Sequence, residues 1–143
     1  MNKKIFVVLI IITIAIFVIN FSSDTPKEGE NTVFHVTLAN PELYSDGVYT
    51  NTFHIDKGEY SFRFVPNGSS PKNLSITLNG ENFDLSENFK LENTKHQTGI
   101  SEYFTWNYQG NNTLSILENQ EILIIINPNG NTMGSVSVSI VGN

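Results

Sequence analysis

The sequence predicts an all-β protein: a single antiparallel β-sandwich of about nine strands, jelly-roll-like or immunoglobulin-like, behind an N-terminal transmembrane helix. Three observations predict it. After residue 31 apolar and polar residues alternate with a period of two, and no stretch keeps a period of 3.6 over two turns. Turn-forming pairs such as Asp46-Gly47, Lys57-Gly58, Asn67-Gly68 and Asn79-Gly80 punctuate the alternation at short intervals. Before residue 31 the chain instead carries one unbroken apolar run.

That run extends from Ile5 to Ile19 (IFVVLIIITIAIFVI), fifteen residues without a charge, with Thr13 its only polar side chain. A helix satisfies its own backbone and exposes only these side chains, so the segment is stable in a bilayer. At about 1.5 Å per residue it covers about 22 Å, and Phe21 with the stems of Lys3 and Lys4 can make up the rest of the hydrocarbon thickness. The two lysines hold the N-terminus in the cytoplasm and send the remainder outward. The competing reading is a cleaved signal peptide, but no good small-x-small site follows in Asn20-Phe21-Ser22-Ser23-Asp24-Thr25-Pro26, and there is no cysteine for a lipid anchor. The expectation is a signal-anchor over 1–21, a polar linker over 22–31 and an extracytoplasmic domain over 32–143. The chain would sit in the cell membrane as a single-pass protein with its C-terminal domain outside, or be secreted if the segment is cut.

The domain's strands are expected near 32–39, 48–56, 59–66, 73–79, 82–91, 101–109, 113–118, 121–127 and 134–141. Tyr60, Phe62 and Phe64 alternate with Ser61 and Arg63; Leu74, Ile76 and Leu78 alternate with Ser75 and Thr77; Val136, Val138 and Ile140 alternate with serines. Each of these runs has one buried and one wet face. EILIIIN (121–127) has five apolar residues in succession and reads as an interior strand covered on both faces. Short strands at this spacing in about 113 residues argue for a two-sheet sandwich. The absence of cysteine removes the pin of antibody-type domains, which favours the jelly-roll form.

Composition excludes several functions. With no cysteine there is no disulfide, thiol nucleophile, cysteine-ligated zinc or thiolate copper centre. Without Lys3 and Lys4 the chain has six basic against fourteen acidic residues, the wrong sign for a nucleic-acid partner. Sequons stand at Asn20, Asn67, Asn73 and Asn111.

The runs FVPNGSSPKNLSI, GISEYFTW and NPNGNTMGSVSVSI resemble a set of small exported, signal-anchored sandwich proteins of ammonia-oxidising archaea. The resemblance covers about residues 50–143 and implies a surface location but no activity. More loosely, GEYSFRF is similar to the opening strands of jelly-roll accessory domains attached to secreted enzymes.

No catalytic constellation is legible. There is no G-x-S-x-G elbow, and His35, His54 and His96 stand alone in their segments, with strand parity turning His54 outward. A copper site from Met133 and the histidines, or Ca²⁺ at 127–131 or 79–82, finds no supporting ligand spacing, and no cofactor is expected. The most aromatic segment offers the one ligand-binding candidate, Tyr103, Trp106 and Tyr108, as a stacking platform for a sugar ring. Strand parity puts Phe104, Trp106 and Tyr108 on one face, and aromatic strand faces in sandwiches pack inward, so the expectation is a core role with Tyr103 exposed. The functional expectation is a non-enzymatic, membrane-tethered surface module for interaction or adhesion, contacting envelope proteins or glycans. The alternative is a small-ligand domain, for carbohydrate before Ca²⁺ or copper.

Overall fold

The computed structural model describes residues 31–143. The expected membrane helix over 5–19 and the linker up to residue 30 lie outside the described residues. Nine strands follow in order: β1 (Thr32–Leu38), β2 (Tyr49–Ile55), β3 (Gly58–Pro66), β4 (Asn73–Asn79), β5 (Asp84–Thr98), β6 (Ser101–Gln109), β7 (Thr113–Ile116), β8 (Gln120–Asn127) and β9 (Val136–Gly142). One 3-10 turn, Pro41–Leu43, is capped by the Asn40 side chain, which accepts from the Glu42 amide at 3.0 Å.

The strands form two antiparallel sheets, a four-stranded one in the order β1-β9-β3-β7 and a five-stranded one in the order β2-β8-β4-β5-β6. Four of the pairings are nested, β1 with β9, β2 with β8, β3 with β7 and β4 with β5, so that the chain closes on itself like a folded ribbon. β6 is added outside β5. The two sheets face each other as a β-sandwich, as the period-two pattern requires of strands with one apolar face.

The inward residues are those the alternation selects. Phe34 and Leu38, Tyr60 and Phe62, Leu74, Ile76 and Leu78, Ile122, Ile124 and Ile126, and Val136, Val138 and Ile140 are all buried. Phe62, Phe64, Phe89 and Tyr108 form an aromatic cluster at one side, with Phe64 centred 4.7 Å from Phe89 and 5.1 Å from Tyr108.

Two strands depart from expectation. β8 is interior to its sheet, between β2 and β4, but only one of its faces is covered. Leu123 and Ile125 lie on the outer face beside Thr50, Thr52 and Thr77, and Leu123 is exposed. A run of five apolar residues thus marks the centre of a sheet here and not a doubly buried strand. β5 does not stop near residue 91 but continues to Thr98. Its last seven residues are polar on both faces and are held only by their partner β6.

Candidate functional site

The extension of β5 and its pairing with β6 build a two-stranded ribbon that projects beyond the sandwich. The register runs from Leu91 opposite Tyr108 to Thr98 opposite Ser101, closed by the Gly99-Ile100 turn. At about 3.3 Å per residue the part from Glu92 to Thr98 is about 23 Å long. Residues opposite one another share a face, so Asn93 and Trp106, Lys95 and Phe104, and Gln97 and Glu102 form one face. Glu92 and Asn107, Thr94 and Thr105, and His96 and Tyr103 form the other.

The first face is the outward continuation of the core-facing side of the sheet, where Phe89 and Tyr108 are buried. Beyond Tyr108 no strand among the described residues covers it. Trp106 is therefore 39% and Phe104 46% exposed, and the expectation that both belong to the core is corrected. Tyr108 keeps the core place that parity gives it, and its place among the stacking candidates is corrected. It is 4% exposed, its hydroxyl donates to the Pro71 carbonyl, and it cannot contribute to a surface platform. Burial, with the Tyr44 hydroxyl as a smaller cause, pushes the Tyr108 phenol well above its ordinary value. Tyr103 is 51% exposed, as parity demands, but it lies on the face opposite Trp106. Its ring stacks on His96 at 4.8 Å, and His96 Nε2 lies 2.7 Å from Thr105 Oγ1. The three candidate aromatics are therefore not one platform: Trp106 shares one face with Phe104, Tyr103 stacks on His96 on the other, and Tyr108 anchors the base.

Tyr108 and Tyr44 give a paired prediction. Tyr108→Phe leaves the Pro71 carbonyl without its donor and lowers stability by about 1–2 kcal/mol. Tyr44→Phe removes a buried hydroxyl that has no hydrogen-bond partner among the described residues, so its effect is neutral or stabilising. Urea unfolding of the two variants checks this, and equal effects would refute it.

At the ribbon's base is an open notch of about 500 Å³ lined by Lys72, Lys90, Leu91, Glu92, Asn93 and Trp106. It exists because β4 begins at Asn73, opposite Lys90, and the Leu91 amide makes the last bond on that side, to the Lys72 carbonyl at 2.7 Å. Sequence reasoning missed Lys72, Lys90 and Asn93, which come from separate segments with no common spacing. A signal for the ribbon itself was present: a polar run from Glu92 to Thr98, then a tight Gly-containing turn, then an aromatic strand. A second, polar groove of about 710 Å³ runs along the open side between β3 and β6, where Arg63, Asn107, Gln109, Asn112 and Asn143 meet.

The histidines stay apart. His35 bonds Ser139 across β1 and β9, His96 is on the ribbon, and His54 lies on the outer face of β2. His54 is held between Asp56 (3.2 Å) and Glu121 (3.1 Å), all three well exposed. Met133 is exposed in the loop after β8. Among the described residues no three His, Asp or Glu side chains are arranged to hold a metal ion.

No protein-family model, curated protein or solved structure matches this chain.

Proposed function

We propose that this chain is a non-enzymatic jelly-roll module, tethered to the outer face of the cell membrane, that binds envelope glycans through its β5–β6 ribbon. The observation that carries the reading is the exposure of Trp106 and Phe104 on a ribbon face with no opposing sheet. An indole held rigid by strand pairing offers its face to the C–H face of a sugar ring, and the flanking Asn93 and Gln97 supply hydrogen bonds to hydroxyls. The jelly-roll assignment rests on the four nested pairings, with β6 as an addition to the eight-stranded form.

Geometry also suits a tether. β1 starts at Thr32, opposite Val141, at the end of the sandwich that holds the β2–β3 and β7–β8 turns. The ribbon leaves from the other end, where β3, β4 and β9 meet the 67–72 and 128–135 loops. A chain anchored through residues 5–19 would carry the ribbon at its outermost point.

A second reading, a protein partner that adds a strand, is favoured by β6 being the last strand of its sheet with its outer edge unpaired among the described residues. Fluorescence separates the two. Trp106 is the only tryptophan, so the full chain is expected to emit at long wavelength, to be quenched by acrylamide, and to respond to isolated envelope glycan. Trp106→Ala should abolish glycan retention while leaving the unfolding midpoint close to that of the parent. Retention of envelope glycan unchanged in Trp106→Ala would overturn the glycan reading, and an envelope protein cross-linked along β6 by both chains would promote the second.

A further inference from the structure

The domain from residue 31 onward is acidic, with eleven carboxylates against five cations: Lys57, Arg63, Lys72, Lys90 and Lys95. Those five are not spread evenly. Lys57 follows β2, Arg63 is on β3, and Lys95 is bound to Glu102 at 2.7 Å on the ribbon. Lys72 and Lys90 make no ion pair among the described residues, and both line the notch that Trp106 also lines. Glu92 lines the notch too, so its side chains sum to one positive charge on a domain of net negative charge. Lys90 and Glu92 share the ribbon face opposite Trp106 and border the notch at the edge of β5 that β4 leaves free. The excess ammonium favours an anion beside the aromatic face.

We propose that this notch is the binding site for a carboxylated sugar, a uronic-acid residue within an envelope polysaccharide. The inference rests on the glycan reading of the ribbon and adds the class of sugar. Each part of the ligand has a complement. The apolar C–H face of the pyranose lies on the Trp106 indole, whose negative π-face attracts those hydrogens. The ring carboxylate takes charge-assisted hydrogen bonds from the Lys72 and Lys90 ammonium groups. Hydroxyls bond the Asn93 side chain, which shares the Trp106 face and offers both a donor and an acceptor.

The main chain contributes as well. Leu91 turns its amide toward Lys72, and the alternation of an antiparallel ladder turns the N–H and C=O of Asn93 to that same side. Among the described residues no strand lies beside Asn93 there, so these two groups also face the notch. The volume of about 500 Å³ is within the range of about 300–1,000 Å³ usual for small-ligand sites. Cationic ligands are disfavoured by the same lysines. A neutral sugar would leave both ammonium groups unused, and a flexible acidic peptide has no rigid apolar face for the indole.

The test uses the full chain in detergent micelles, titrated with oligogalacturonate, with its fully methyl-esterified form and with oligoglutamate, and followed by Trp106 emission. Saturable binding of oligogalacturonate is expected, about ten-fold or more tighter than its ester, the scale of a charge-assisted contact. The double variant Lys72→Gln/Lys90→Gln should abolish the preference for the acid form with its unfolding midpoint unchanged, since neither lysine holds an ion pair among the described residues. Binding of acid and ester equally, lost in Trp106→Ala, would overturn the carboxylate assignment while the glycan reading stands. Equal binding of oligoglutamate and oligogalacturonate would reduce the notch to an anion site and overturn the sugar assignment. No response to any saccharide, acidic or neutral, would overturn both.

Discussion

Replacing Phe89 by alanine is expected to lower the stability of the domain by about 3–5 kcal/mol, the cost of removing a buried aromatic ring that its surroundings cannot replace. Phe89 is 1% exposed, and its ring meets Phe62 edge-on at 5.4 Å and Phe64 at 4.7 Å. Collapse into the space is hindered because those rings are fixed by β3, and Phe64 is also packed on Tyr108. Gly110 closes the remaining side: a Cβ there would fall 2.7 Å from Phe89 Cδ1, so the backbone already lies against the ring. The loss is large against the total stability of about 5–15 kcal/mol usual for a domain. Phe104→Ala is the matched control, the same change on the exposed ribbon face, and should cost no more than about 0.5 kcal/mol. Urea titration of both reads the difference. Equal midpoints would mean that the ribbon is packed in solution and that its aromatic face is not free.

The same pair of phenylalanines marks how far the sequence is legible. Period-two alternation between turn pairs, with the apolar run of EILIIIN, located the nine strands, because an exposed-buried alternation leaves a pattern wherever a sheet has one covered face. Parity also placed Phe104, Trp106 and Tyr108 correctly on a common side of β6. Burial did not follow from parity, since it depends on where the opposite sheet ends, and that boundary lies in other strands. β5 was cut short for a related reason. From Asn93 on, its side chains are polar on both faces, and the strand persists only through its ladder to β6. In EILIIIN the run of apolar residues correctly located the middle of a sheet, but Leu123 and Ile125 lie among threonines on an uncovered face. The notch was illegible altogether: Lys72 and Lys90 are brought to Trp106 by two strand pairings, and a linear sequence records neither.

Gly134→Ala is expected to destabilise the domain by about 1–3 kcal/mol, the range for atoms forced into a packed site. A Cβ at Gly134 would fall 2.1 Å from the Ser69 carbonyl oxygen, a backbone atom that no rotamer change can move aside. That carbonyl is held in place by the loops around it. Asn131 donates its side-chain amide to Ser69 O at 3.2 Å and accepts from the Gly134 amide at 2.9 Å. The buried Ser70 hydroxyl donates to the Ser135 carbonyl and accepts from the Asn67 amide at 2.6 Å. The 67–72 and 128–135 loops are thereby clasped, and they are the turns of FVPNGSSPKNLSI and NPNGNTMGSVSVSI, two runs more than fifty residues apart in sequence. Because β4 starts at Asn73, immediately after the first loop, the clasp also fixes where β4 meets β5 and hence where the ribbon becomes free. Gly68→Ala in the same clasp has nothing within 4 Å of its new methyl and should be nearly neutral. Urea unfolding, with amide exchange read at Gly134 and Ser135, distinguishes the two. If Gly134→Ala were as mild as Gly68→Ala, the close approach of the loops would not persist in solution, and the position of Lys72 beside the notch would lose its support.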